Sequence, residues 1–353
     1  MTSKKRLAGL LVGGLLVSFL ILRVFFPDNA AALQQVLSKT NTYSAALRLA
    51  VPIVLAGLGG LLSEKSGVIN IGLEGLLIIG AFTGVFTVSL LGAGSVLLLS
   101  TKWFGVISAV LVTVLFTLLF AAVCIEVDAN QIIAGLALWL IALGLAPFLA
   151  VVYYGGPNSG QSVGTINEWS IPVLRDIPFI GEILFSASPF VYIMLMAVVF
   201  VWILLKRTKY GRWIRASGEN PEALETAGVN VNRVRYGTSV LCGVLAGLGG
   251  AGLSLGELGL FVGTGDTMVN GRGFIAITAY LFGDYTALGT LGAGLFFGWL
   301  DGIQTQLQSL PGYALPDQLV RTVPYIAVIL ALVFVGKTRI PSAAGDNYDS
   351  GED

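Results

Sequence analysis

The chain has no histidine among its 353 residues. That absence removes imidazole acid–base chemistry, histidine–metal sites and histidine-activated nucleophiles together. Charge is scarce too: 11% of residues, where a soluble domain carries about a quarter. Acidic and basic residues balance at 20 each, so no basic surplus points to nucleic acid. Cysteine is limited to Cys124 and Cys242. Both sit in or beside apolar runs, far apart in the chain. Inert membrane thiols explain them better than a disulfide or a metal pair. No segment has the phosphate-cradling form GxxxxGK[ST], so the chain does not supply its own P-loop ATPase.

Apolar residues fill the space, at 55% of the chain. They come in runs of roughly 20, the length that crosses a bilayer core. The 46 glycines suit close helix–helix approach in lipid. The pattern predicts an all-α polytopic membrane protein with about ten transmembrane helices. One membrane domain covers 1–336, and an acidic, disordered tail covers 337–353.

Lys4, Lys5 and Arg6 precede the run Leu7 to Phe26. With Ala30 to Ala32 behind it, this reads as a signal peptide or as a retained first span. The run exceeds the roughly 7–15 residues of a signal core, which favours the span. Further spans are expected at Tyr43–Leu62, Gly67–Leu91, Trp103–Val123, Ala129–Tyr153 and Pro189–Leu205. The remainder fall at Tyr236–Gly256, Gly273–Phe282, Ala287–Leu307 and Leu319–Val335. The third opens irregularly, as GVINIGLEG. An even count puts both termini on one side. With that side cytoplasmic, Lys4–Arg6, Lys65, the loop 206–235, Lys337 and Arg339 all lie inside, as the positive-inside rule asks. The long stretch 154–188 then lies outside.

Ala56–Gly60 and Ala246–Gly250 both read AGLGG. Their spans are expected to run in opposite directions, and an irregular stretch follows each. An inverted repeat would look like this, with a substrate path where the halves meet. Chance recurrence in glycine-rich helices would look the same.

Two places carry the candidate chemistry. Asn70 and Glu74 are four apart, the spacing of one helix face, with Gly67, Gly72 and Gly75 around them. A carboxylate near a span usually faces a cavity or a partner. Glu74 thus reads as the wall of a pathway or the latch of a broken helix. Alternatively it caps backbone amides or pairs with Arg48 or Lys65. Asn130, Gln131, Arg272 and Phe274 are weaker pathway candidates; headgroup hydrogen bonding explains the polar ones equally well. The second place is Lys206–Tyr236, which holds seven of the 20 basic residues. Within it Asn220 suits an N-cap, Pro221 the first helical position, Glu222 and Glu225 the positive helix end, and Gly228 a stop. A helix of about two turns is marginal alone. It reads as a docking element for a soluble partner; a solvated loop that only sets topology is the bland reading.

The strings LSEKSGVINIGLEG and GLLIIGAF, then GENPEALETAGVNVNRVRY and GRGFIAITAYLFGDYTALGTLGAGLFFG, carry a resemblance across about residues 43 to 336. The chain resembles the membrane permeases of ABC importers of the branched-chain amino acid, ribose and nucleoside type. The form SEKSGVINIGLEG is most similar to one of the paired permeases of the nucleoside and simple-sugar branch. The resemblance implies a coupling helix, seated in a groove of a separate ATPase, at Glu219, Asn220, Pro221, Glu222, Ala223, Glu225, Thr226, Ala227 and Gly228. It also implies a second permease subunit, an extracytoplasmic solute-binding protein and a prokaryotic cell membrane. No cofactor is implied, since ATP is used by the partner. An ion-coupled secondary transporter is the runner-up. A membrane enzyme comes third, because no nucleophile motif or metal cluster is evident.

Overall fold

The computed structural model describes residues 27–309, apart from 93, 97, 98 and 266, together with 340–346 and 348. The expected first and tenth spans, and Lys4–Arg6, Lys337 and Arg339, lie outside the described residues. In chain order the helices are α1 (Pro27–Ser38), α2 (Thr40–Lys65), α3 (Leu73–Leu91), α4 (Thr101–Ile125) and α5 (Gln131–Tyr154). They continue with α6 (Ile180–Leu184), α7 (Pro189–Arg207), α8 (Lys209–Glu219), α9 (Pro221–Thr226) and α10 (Val231–Ala251). A π-helical turn, Gly252–Leu258, extends α10, and α11 (Arg272–Phe282) and α12 (Ala287–Gln308) follow. Two small antiparallel ribbons pair β1 (Ser95–Val96) with β2 (Leu99–Ser100), and β3 (Trp169–Ser170) with β4 (Ser186–Ala187).

Among the described residues, six helices are long and apolar enough to cross a membrane: α2, α3, α4, α5, α7 and α10 with its extension. The expected spans coincide with them within a few residues at most ends. The seventh differs at its start, since α10 begins at Val231 and takes Arg233 and Arg235 out of the expected loop. Asn230 explains this, because its side chain accepts the Arg233 amide at 2.8 Å and starts the helix there. The eighth expected span is α11, with only 11 residues. At ~1.5 Å per residue it covers about half a bilayer core.

Burial sorts the helices into centre and rim. The apolar window of α2 is 94% buried, whereas that of α5 is 22% buried. Leu136, Leu140, Phe148 and Val152 of α5 and Leu111, Leu115 and Leu119 of α4 face outward. The two AGLGG segments account for the tight centre. A β-carbon on Gly59 would lie 3.0 Å from the Cys242 backbone of α10, and one on Gly249 3.3 Å from the Cα of Pro52 in α2. The contacts are also crossed: Gly60 of α2 meets Tyr280 of α11, while Gly250 of α10 meets the Leu77 carbonyl of α3. Each segment touches the helix that follows the other.

Residues 154–188 are not a free loop. Backbone amides of Ser159, Val163 and Ile166 donate to the carbonyls of Phe261, Gly259 and Leu255 at 2.8–2.9 Å. This lid-like layer covers one end of α10. At the same end, Arg48 pairs with Glu257 at 2.9 Å and with Glu168 at 3.7 Å.

Residues 340–346 and Tyr348 belong to the tail expected to be disordered. They lie instead on the opposite end of the bundle. The Ala343 amide donates to the Gly218 carbonyl at 2.8 Å, and the Gly345 amide to the Gly67 carbonyl at 3.0 Å.

Candidate functional site

The first candidate site is the break between α2 and α3. Residues 66–72 are not helical because side chains of neighbouring helices satisfy their backbone. The Ile69 amide donates to Gln131 Oε1 at 2.7 Å, and Ser217 Oγ donates to the Ser66 carbonyl at 2.7 Å. Asn70 precedes α3, so the shared helix face expected for Asn70 and Glu74 does not exist. The Asn70 side chain instead accepts the Gly72 amide at 2.9 Å, the local turn that asparagine offers a chain entering a helix. It is 2% exposed and its amide points at Cys242 Sγ, 3.9 Å away.

Glu74 is likewise 2% exposed. Its carboxylate accepts the Gly271 amide at 2.7 Å and the Gly273 amide at 2.6 Å. Those are orphan donors at the start of α11, whose own N-cap, Gly271, has no side chain to satisfy them. The carboxylate also sits where the helix dipole favours negative charge. Glu74 therefore latches the beginning of one broken helix to the beginning of the other. Capping of backbone amides, one of the alternatives open from the sequence, is present here. Arg48 is engaged at the far end, and Lys65 lies over the Tyr285 ring at 5.6 Å.

The weaker candidates separate. Gln131 joins the break through Ile69. Phe274 stacks edge-on against Trp139 with centroids 5.3 Å apart, beside the latch. Arg272 bonds Asp301 of α12 at 2.6 Å, which ties α11 to α12. Asn130 stays at the surface and caps α5, accepting the Ile132 and Ile133 amides at 3.1 Å.

One group escaped the sequence reading. Ser63–Glu64–Lys65–Ser66 reads as a polar turn, yet Glu64 lies in the last turn of α2 and is 6% exposed. Its carboxylate accepts the hydroxyls of Tyr280 and Tyr285, the latter at 2.5 Å. Burial, together with that carboxylate, holds the Tyr285 hydroxyl well above the ordinary tyrosine range, so it donates at neutral pH. The only signal available was a glutamate next to the end of an apolar run. Substitution Glu64→Leu should leave two buried hydroxyls unsatisfied, at about 1–3 kcal/mol each. The expected result is a melting temperature in detergent clearly below wild type; an unchanged value would refute the cluster.

The second candidate site is at the same end of the bundle. Thr208 caps α8 by accepting the Gly211 amide at 3.2 Å. A helix over Lys209–Glu219 is not expected from the sequence, because the stretch Lys206–Tyr236, with seven basic residues, reads as loop. The signal was Trp213–Ile214–Ser217–Gly218, a narrow stripe; Ile214, Ser217 and Gly218 are buried. Asn220 then caps α9, accepting the Ala223 amide at 3.0 Å, with Pro221 first in the helix. Gly228 turns the chain at φ +79°, a conformation open to glycine. So α9 is six residues long, slightly shorter than expected. It is pinned by Leu224, 4% exposed, while Glu219, Asn220, Glu222, Ala223, Thr226, Ala227 and Gly228 are exposed around it. Glu225 is half-buried and accepts the Tyr348 hydroxyl. That hydrogen bond, with partial burial and the carboxylate charge, pushes the Tyr348 hydroxyl up to about 12.

Among the described residues no group of three histidine, cysteine, aspartate or glutamate side chains is placed to hold a metal ion. The first site offers positioned backbone and a buried carboxylate, and the second an exposed short helix.

The family described as branched-chain amino acid transport system, permease component, matches residues 42–333. The guanosine ABC transporter permease protein NupQ of Bacillus subtilis (strain 168) is 38% identical over 311 residues, covering 87% of this chain and 96% of that one. The nucleoside ABC transporter permease protein NupC of Lactococcus lactis subsp. cremoris is 33% identical over 304 residues, covering 84% and 93%. The glucose ABC transporter permease protein TsgB13 of Haloferax volcanii is 29% identical over 315 residues, covering 83% and 77%. No solved structure matches. With a family match over most of its length and relatives aligned nearly end to end, the chain belongs to the branched-chain amino acid transport system permease family and is a membrane permease, not an enzyme.

Proposed function

We propose that this chain is one transmembrane subunit of an ATP-driven ABC importer for nucleosides or simple sugars. The carrying observation is α9: a capped helix of six residues, anchored by one leucine, with its remaining faces offered outward. Among the described residues of this chain, Glu222, Ala223, Thr226 and Ala227 of this stretch stay exposed. A soluble ATPase groove would cover them. On this reading α8 and α9 lie in the cytosol and both termini with them, in a prokaryotic cell membrane crossed about ten times. ATP is bound and hydrolysed by the separate ATPase, and this chain carries no cofactor.

The crossed contacts of α2, α3, α10 and α11 support an inverted repeat whose halves meet at the Glu74 latch. Movement of α9 would reach that junction through α8, since the Ser217 hydroxyl bonds the Ser66 carbonyl. The halves would then open alternately, with Asn70, Glu74, Gln131, Arg272 and Phe274 as the framework of the moving part. A solute-binding protein would deliver cargo at the far end, over 154–188 and the Arg48–Glu257 pair. The names of the relatives support the cargo class: guanosine and nucleosides for two, glucose for the third. ATPase domains close in pairs, so two docking loops are needed. The second is supplied by a different, similar permease.

The test is reconstitution of the co-purified complex in liposomes. ATP-dependent, binding-protein-dependent uptake of labelled guanosine or glucose is expected. Uptake by this chain alone, driven by an ion gradient without ATP, would overturn the reading and establish a secondary transporter. A native complex with this permease in two copies would overturn the heterodimer.

A further inference from the structure

We propose that residues 340–346 with Tyr348 form a strap that ties the docking helix α9 to the break between α2 and α3, and that it positions α9 for coupling. The proposal rests on the docking reading of α9. A helix of six residues with one buried anchor, Leu224, is loosely held by its own contacts. A loosely held lever would absorb a push rather than pass it on. The strap supplies what α9 lacks.

Its attachments fall on two separate bodies. On the docking side, the Tyr348 hydroxyl donates to Glu225 within α9, and Ser342 Oγ donates to Glu219 Oε2 at 3.1 Å, one residue before the α9 cap. On the membrane side, the Gly345 amide donates to the Gly67 carbonyl at 3.0 Å, inside the break that leads to the Glu74 latch. Between them the Ala343 amide donates to the Gly218 carbonyl at 2.8 Å, at the end of α8. Arg235 of α10 fixes the far end. Its guanidinium lies 5.9 Å from the Tyr348 ring centroid and donates to the Asp346 carbonyl at 3.1 Å. This residue is 2% exposed, and its Nε and Nη2 are buried without a hydrogen-bond partner among the described residues. An arginine in that state has most of its charge stabilised by what covers it. The cover here is the strap. A randomly adhering tail would not engage a buried cation, a helix end, the docking helix and the broken segment through Ser342, Ala343, Gly345, Asp346 and Tyr348.

The test uses the assembled transporter in proteoliposomes. One permease variant ends after Arg339; the second is Tyr348→Phe, which keeps the ring over Arg235 and removes the bond to Glu225. Solute taken up per ATP hydrolysed is compared with wild type. The truncated chain should still bring down its ATPase but lose coupling about fivefold or more, the lower range of ordinary site-to-site coupling. Tyr348→Phe should lose coupling in the same direction and less. A Ser342→Cys/Glu219→Cys pair should cross-link in membranes. A wild-type coupling ratio in Tyr348→Phe, or no cross-link, would overturn the strap; if the truncated chain fails to accumulate, those two measurements decide. The docking reading fails by a different result: Ala223→Arg, considered below, would then keep its ATPase.

Discussion

Ala223→Arg should abolish recovery of the ATPase while leaving the permease in the membrane. Ala223 is exposed on α9, beside the buried anchor Leu224. In the isolated chain an arginine there projects into water and costs little. In a groove it would be buried without a partner, at several kcal/mol even after relaxation. Docking by one short helix offers only a few kcal/mol, so recovery should fall at least ~100-fold at limiting ATPase. Added positive charge on the cytoplasmic side reinforces the proposed topology, so insertion should hold. Ala227→Arg, also exposed, should do the same. Pull-down of the ATPase from detergent-solubilised membranes, with permease abundance measured alongside, checks both. Normal recovery and normal uptake would reduce α9 to a solvated loop.

Glu74→Ala should be the most damaging single substitution in the membrane part. It removes both acceptors from the Gly271 and Gly273 amides. Each buried donor left unpaired costs about 1–3 kcal/mol, a large fraction of a domain's net stability of roughly 5–15 kcal/mol. No rearrangement of α11 can help, because it is pressed against Glu74: a β-carbon on Gly273 would lie 2.3 Å from the Glu74 amide nitrogen. Glu74→Gln keeps one acceptor oxygen and should fall between. Fluorescence-detected size exclusion of the three proteins should rank them wild type, Gln, Ala. Equal thermal profiles for Ala and wild type would remove the latch.

The sequence made some of this legible and hid the rest for definite reasons. Long spans were legible because lipid imposes length, and α2 to α5 and α7 begin or end within a few residues of the apolar runs. The cap at Asn220, the stop at Gly228 and the irregular start of the third span were legible because short-range chemistry writes them. Asn70 was placed on a helix face by its spacing to Glu74, but Asn70 caps more readily than it continues a helix. Glu64 was hidden because its partners, Tyr280 and Tyr285, are 216 and 221 residues away. The α8 helix was hidden by its own charge, since a run of lysine and arginine masks a narrow apolar stripe. Arg235 reads as one more topology-setting cation because its tail partner, Asp346, is 111 residues away.

The central position of α2 has a consequence for how the protein is made. Glu64 leaves the ribosome 216 residues before Tyr280. At ordinary rates of synthesis that interval is roughly ten to forty seconds. During it α2 sits in the bilayer without the helices that later enclose it, its buried carboxylate still lacking its tyrosines. Assembly must then close α10, α11 and α12 around a helix inserted long before, which is a slow topology. Until then quality-control proteases would meet an exposed α2. Mutations in α11 and α12 should therefore lower the amount of permease per cell more than they lower the rate of each molecule that survives.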